Sequence, residues 1–176
     1  MSFDNKTGHA YFDYKIPNDL ILAGPMKLQV YIEVENCSDV NIFVGVFKLK
    51  DNINIPFEGS YGFGLDSVAK GCLKASLRRT ELSENSFYEP NPTFDRIELL
   101  KPKQVVAMEI VLLPSSTLWR KDEVLRLKIQ GHALFHESKL YSQLNKYESS
   151  PAGETRIHCG KKYNSYLLVP HLNDTR

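Results

Sequence analysis

Ser60 stands in the run Glu58-Gly59-Ser60-Tyr61-Gly62. This is the chain's nearest approach to the Gly-x-Ser-x-Gly turn on which an acyl-transfer enzyme exposes its nucleophilic oxygen beside backbone N–H donors. Glutamate holds the place of the first glycine, and no helical periodicity follows to complete a strand-to-helix elbow. Nucleophilic catalysis is not expected from Ser60. His132 and His136 lie four residues apart and, with Glu137, would offer metal ligands from one face if the segment were helical. The order is not His-Glu-x-x-His, and the segment follows a strand that ends at Gly131, so these read as loop histidines. Gly62-Phe63-Gly64 lacks the third glycine and the preceding strand of a phosphate-cradling loop. No Asp-x-Asp-x-Asn/Asp-Gly run supplies calcium ligands. The expectation is no catalytic residue, no cofactor and no metal site.

Aromatic side chains carry the other chemistry within reach. Trp119, Tyr61, Tyr88 and Tyr163, with the planar guanidinium of Arg78, could stack on and hydrogen-bond a sugar, a common use of β-sandwich surfaces. Trp119 sits in Ser116-Thr117-Leu118-Trp119-Arg120, where a strand pair needs a large apolar plug. Core or domain-interface packing is favoured for it over sugar stacking. His158 lies in Arg156-Ile157-His158-Cys159-Gly160, with Ile157 and Cys159 on the opposite face of the strand. Its imidazole, with Tyr163, is expected to support the terminal hairpin. The loop Phe57-Glu58-Gly59-Ser60-Tyr61-Gly62-Phe63-Gly64 alternates aromatics with glycines, a pattern suited to an interface or to plugging the end of a sandwich.

The elements that must position these residues are strands. Leu28, Val30, Ile32 and Val34 alternate with polar or aromatic neighbours, and Val40, Ile42, Val44 and Val46 form a second such row. Leu73, Ala75 and Leu77, and then Leu125, Leu127 and Ile129, repeat the pattern. The run Val105 to Leu113 is apolar on both faces apart from Glu109, so it should lie centrally or meet a second apolar surface. Shorter strands are expected over His9 to Tyr14, Asp95 to Leu100, Arg156 to Cys159 and Ser165 to Val169. Turn signals at Gly24-Pro25, Asp51-Asn52, Lys101-Pro102 and Pro114-Ser115-Ser116 separate about nine strands. The pattern is all-β: one jelly-roll β-sandwich domain over residues 1–176, with two antiparallel sheets and long loops at Asn52 to Lys70, Thr80 to Phe94 and His132 to Glu154.

Composition narrows the partners. Lys plus Arg number 22 against 21 Asp plus Glu, so no long-range field draws nucleic acid or an anionic membrane. The N-terminus has no apolar signal core, and no window reaches the roughly 18 apolar residues of a membrane span. Cys37, Cys72 and Cys159 form no Cys-x-x-Cys pair and read as free, mostly buried thiols of a reducing, cytoplasmic compartment.

Several short motifs, in order, resemble the C-terminal non-catalytic domain of the X-Pro dipeptidyl-peptidase and cocaine-esterase-like acyl hydrolases. They are Asp39 to Val46, Gly71-Cys72-Leu73-Lys74-Ala75-Ser76-Leu77-Arg78, Leu99 to Pro102, Val105 to Ser116, Glu123-Val124-Leu125-Arg126-Leu127 with Gly131, Arg156 to Gly160, and Ser165-Tyr166-Leu167-Leu168-Val169-Pro170. The Pro102-Lys103-Gln104 and Lys121-Asp122-Glu123 turns, Cys159 and Lys161 depart from that pattern. The resemblance implies a galactose-binding-like jelly roll packed against an α/β-hydrolase catalytic domain that holds the reacting residues. Tyr61, Phe63, Arg78 and Trp119 are then the candidates for the domain interface or for facing a ligand. A free-standing sugar-binding module and a protein-interaction or homo-oligomerisation domain are the alternatives.

Overall fold

The computed structural model describes residues 1–55, 57–58, 65–81, 88–134 and 150–172. The first sheet holds β1 (Ser2–Asp4), β11 (Glu154–His158), β3 (Leu20–Glu35) and β9 (Val106–Trp119) in that order. β12 (Tyr166–Leu168) and β13 (His171–Leu172) continue the line of β11 along the same edge of β3. The second sheet runs β2 (His9–Lys15), β10 (Val124–Gln130), β4 (Asn41–Lys50), then β8 (Ala69–Lys74) and β5 (Ile53–Ile55) side by side on β4. β6 (Phe57–Glu58) and β7 (Leu65–Asp66) pair as a separate ribbon. Every pairing is antiparallel, and β1/β2, β3/β4, β8/β9 and β10/β11 each switch sheets, the jelly-roll winding.

Period-two alternation fills the space between the layers. Leu28, Val30, Ile32 and Val34 of β3 face Ile42, Val44 and Val46 of β4 and Leu125, Leu127 and Ile129 of β10, all buried in one apolar cluster. Asp51 and Asn52 take φ of 51° and 63°, the left-handed pair that a tight hairpin between β4 and β5 requires.

Several sequence expectations are corrected. Gly24-Pro25 and Pro114-Ser115-Ser116 are not turns: β3 and β9 run straight through them, and the two sites oppose each other where the register slips between Gly24 and Met26. A bulge accommodates residues that cannot donate to the ladder, so both prolines fit without ending their strands. Ala75–Leu77 is a 3-10 turn rather than strand, because the Asp39 carboxylate accepts from the Ser76 N–H at 3.0 Å and turns the chain. Residues 95–100 form no strand; Glu98 and Leu100 donate backbone bonds to Ser76 and Ser38 while Ile97 and Leu99 point to solvent. The thiols are free, but Cys72 and Cys159 are exposed and only Cys37 is half-buried.

β9 is not central. It pairs with β3 alone, and its other side meets β8 of the opposite sheet. A Cβ on Gly71 would stand 2.3 Å from the Val111 carbonyl oxygen, so glycine alone lets the two backbones close this side of the sandwich.

Candidate functional site on the outer face of the first sheet

β3 and β9 bury one face and present the other. Outward positions on β3 carry Ile21, Lys27, Gln29, Tyr31 and Glu33; those on β9 carry Ala107, Glu109, Val111, Leu113 and Leu118. The face divides into a polar and an apolar half.

In the polar half, the Lys27 ammonium is 1% exposed and pairs with Glu109 at 2.9 Å. The Gln29 amide donates to the Asn164 carbonyl at 3.3 Å. His158 Nε2 lies 2.9 Å from a Glu33 carboxylate oxygen, and the His158 and Tyr163 rings are 5.0 Å apart. Ser165 stands beside this pair, so a serine, an imidazole and a carboxylate do converge. They are not wired as a nucleophile and its base. The Ser165 hydroxyl donates to the His158 backbone carbonyl at 2.8 Å and accepts from the Tyr31 N–H at 3.1 Å. A hydroxyl proton held by a carbonyl is not available to an imidazole, so these bonds tie the terminal hairpin to β3 rather than arm a nucleophile.

A cavity of about 460 Å³ lies next to this cluster, lined by Gln29, Tyr31, Arg78, Thr80, Glu98 and Glu109 among others. Arg78 forms one wall. Its guanidinium donates to the carbonyls of Ala75 at 3.0 Å and Glu98 at 2.6 Å and pairs with the Glu98 carboxylate at 3.2 Å. These bonds tie residue 98 to the turn after β8, so most of the donors of Arg78 serve the fold.

The apolar half begins one register row on. Leu172, Ile21 and Leu118 are cross-strand partners on β13, β3 and β9. They are 54%, 41% and 42% exposed, and Leu113 reaches 61%. With Val111 they are the exposed apolar side chains of this half, with Ala23 and Ser116 between the two groups. The outer face of the Val105 to Leu113 run, expected to lie centrally or to meet a second apolar surface, is instead open to solvent at Val111 and Leu113.

Of the four interface candidates, Arg78 borders the polar half, and Tyr61 and Phe63 lie outside the described residues. Trp119 takes the core alternative and is corrected only as an interface candidate: its ring is fully buried, with the Lys48 ammonium 5.6 Å from its centroid, so it offers no face to a sugar or a partner. Tyr88 is exposed and distant in sequence from the cluster. Ser60, His136 and Glu137 also lie outside the described residues, and His132 is half-buried beside Gln130. Among the described residues no group of three His, Cys, Asp or Glu side chains could hold a metal. Sequence reasoning missed Lys27, Gln29, Tyr31 and Glu33. Their signal was present as the polar half of the β3 alternation.

Comparison with known proteins accords with this architecture. The profile of the X-Pro dipeptidyl-peptidase C-terminal non-catalytic domain matches residues 2–168. A CocE/NonD family hydrolase from Staphylococcus aureus superposes with a TM-score of 0.91 at 25% identity, covering 98% of this chain and 32% of that one. An aminopeptidase from a marine sediment archaeon, Thaumarchaeota archaeon, gives 0.64 at 13% identity over 94% and 26%. An alpha-amino acid ester hydrolase gives 0.62 at 13% over 93% and 25%. These last two show the fold. The chain therefore spans about a third of the length of the S. aureus hydrolase it matches. No curated protein matches it significantly.

Proposed function

Because the chain belongs to the family of X-Pro dipeptidyl-peptidase C-terminal non-catalytic domains, we propose that it serves a serine acyl hydrolase or X-Pro dipeptidyl-peptidase-like enzyme as its accessory β-sandwich. In this reading an α/β-hydrolase domain in cis supplies the reacting serine, histidine and acid. The β-sandwich shapes its cleft, excludes water and stabilises it.

The apolar half of the outer face carries the proposal. Leu172, Ile21 and Leu118 form one exposed cross-strand row, and Val111 and Leu113 are exposed farther along β9, on a sheet whose inner face is already buried. Such an apolar face marks a protein interface. The matched part is 32% of the S. aureus hydrolase, which leaves the larger share of such an enzyme to supply the partner. Three unpaired thiols, two of them exposed, suit a reducing compartment, so a cytoplasmic location belongs to the proposal.

The purified chain is expected to release no product from p-nitrophenyl butyrate or from an Ala-Pro p-nitroanilide. Turnover that co-elutes with it overturns the accessory role. In an enzyme carrying this domain, Leu113→Glu with Leu118→Glu should lower kcat/KM and the melting temperature together while the isolated sandwich keeps its far-UV spectrum. Unchanged kinetics would remove this face from the interface. A dimer of the isolated chain that the same pair of substitutions dissociates would assign the face to a second copy.

A further inference from the structure

We infer that the slot between the free edges of β2 and β12 binds a small, uncharged, chain-like apolar molecule, an aliphatic alcohol or the acyl chain of a neutral ester. The sheets close tightly at Gly71 but not on the other side. There β2 pairs only with β10 and β12 only with β3, and between them a cavity of about 530 Å³ opens to solvent. That volume lies within the roughly 300–1,000 Å³ of small-molecule sites.

Two observations fix the ligand class. The first is where the core is left incomplete. Among the described residues six half-buried hydrophobic side chains pack against the core, and four of them, Phe12, Leu20, Leu167 and Val169, line this one slot. Beneath them the floor is core, including Leu28, Val30, Leu127 and Ile157. The second is the charge at the mouth. No lysine or arginine is among the described lining residues, and the one carboxylate, Asp13, is engaged twice by Arg126, at 2.8 and 2.7 Å. Among the described lining residues an anionic head would meet no lysine or arginine, only the His171 imidazole, and a cationic head would find the Asp13 charge already balanced by Arg126. A charge buried without a partner is costly, which selects a neutral ligand. Ser165 is already engaged by the His158 carbonyl and the Tyr31 N–H, so the remaining polar groups at the rim, Tyr14, Tyr166, Cys159 and His171, are the ones that can hydrogen-bond a hydroxyl or ester oxygen. The site is independent of the docking reading, since its floor lies between the two layers rather than on the outer face.

Cys159 lines the slot and is exposed, while Cys72 is exposed on β8 at the closed side. The intact chain therefore carries its own reporter and its own control. Iodoacetamide alkylation of each cysteine, followed by peptide mass spectrometry, is measured against 1-hexanol, 1-octanol and 1-decanol. Saturating alcohol should slow Cys159 by about fivefold or more and leave Cys72 unchanged. The half-saturating concentration should fall by about fourfold for each methylene added, the free energy of burying one CH₂. Octanoate should bind at least about tenfold more weakly than octanol. Leu167→Trp, which narrows the slot, should abolish the protection, and Val169→Phe serves if that variant does not fold. A Cys159 rate that ignores all three alcohols overturns the site, as does equal slowing of both cysteines. Octanoate protecting as well as octanol overturns the neutral class.

Discussion

The two sides of the sandwich close by different means. At β8 and β9 the layers meet backbone to backbone, with Gly71 against the Val111 carbonyl and no room for a methyl group. At β2 and β12 they stay apart, and half-buried Phe12, Leu20, Leu167 and Val169 border the gap. One side is a seam and the other a mouth. The difference teaches that a jelly roll need not be uniformly packed to be stable: a tight seam and the tightly filled middle can carry the layers while the opposite edge stays available.

The largest expected effect comes from the filled end of the seam's own strand. Trp119→Ala empties a fully buried indole site and should cost about 3–5 kcal/mol, read as a fall in the urea midpoint. Gly71→Ala attacks the seam directly. Its Cβ has no flexible neighbour to displace, only backbone, so about 1–3 kcal/mol is expected. Leu167→Ala tests the mouth, where a half-buried leucine with open space beside it should cost about 1 kcal/mol or less. If Leu167→Ala proved as damaging as Gly71→Ala, the contrast between seam and mouth would be lost.

A pH titration sharpens the comparison further. The Lys48 ammonium ties the second sheet to the first by donating to the Leu118 carbonyl at 2.8 Å, and it pairs with Glu123 at 2.8 Å. Burial works to raise the pKa of Glu123, but the bonds from Lys48 and the Arg120 N–H outweigh it and hold the carboxyl below its ordinary range. A depressed folded value contributes stability that is fully present above the ordinary glutamate range and is lost as pH falls through the folded value. Acid should loosen this cross-sheet tie, and Glu123→Gln should flatten the low-pH limb of the urea midpoint. The smallest effect is expected from Leu113→Glu, within about 0.5 kcal/mol in the isolated chain, because that side chain is already solvated.

The inward rows of β3, β4 and β10 were legible because period-two alternation reports burial directly. The extent of β3 and β9 was not. Gly24-Pro25 and Pro114-Ser115-Ser116 carry turn chemistry, and only the register shows that each is the answer to the other across a bulge. Leu73, Ala75 and Leu77 alternate like a strand, yet the Asp39 carboxylate, 37 residues away from Ser76, turns that segment into a 3-10 helix. Long-range hydrogen bonds of this kind leave no local trace. The site was less visible: Trp119, favoured for the core or a domain interface, went to the core, and the outward β3 residues were not singled out.

β3 touches almost everything that comes late. Its one edge waits for Val106–Trp119 and its other for Glu154–His158, Tyr166–Leu168 and His171–Leu172. During synthesis, Leu20–Glu35 emerges before either neighbour exists, so one edge of this apolar ribbon stays unmatched until Val106–Trp119 is made and the other until residues 154–172 follow. Such non-local pairing makes for slow folding and a long interval of aggregation risk. A nascent chain stopped just short of residue 154 would hold β3 with one bare flank, a natural hold point for chaperones.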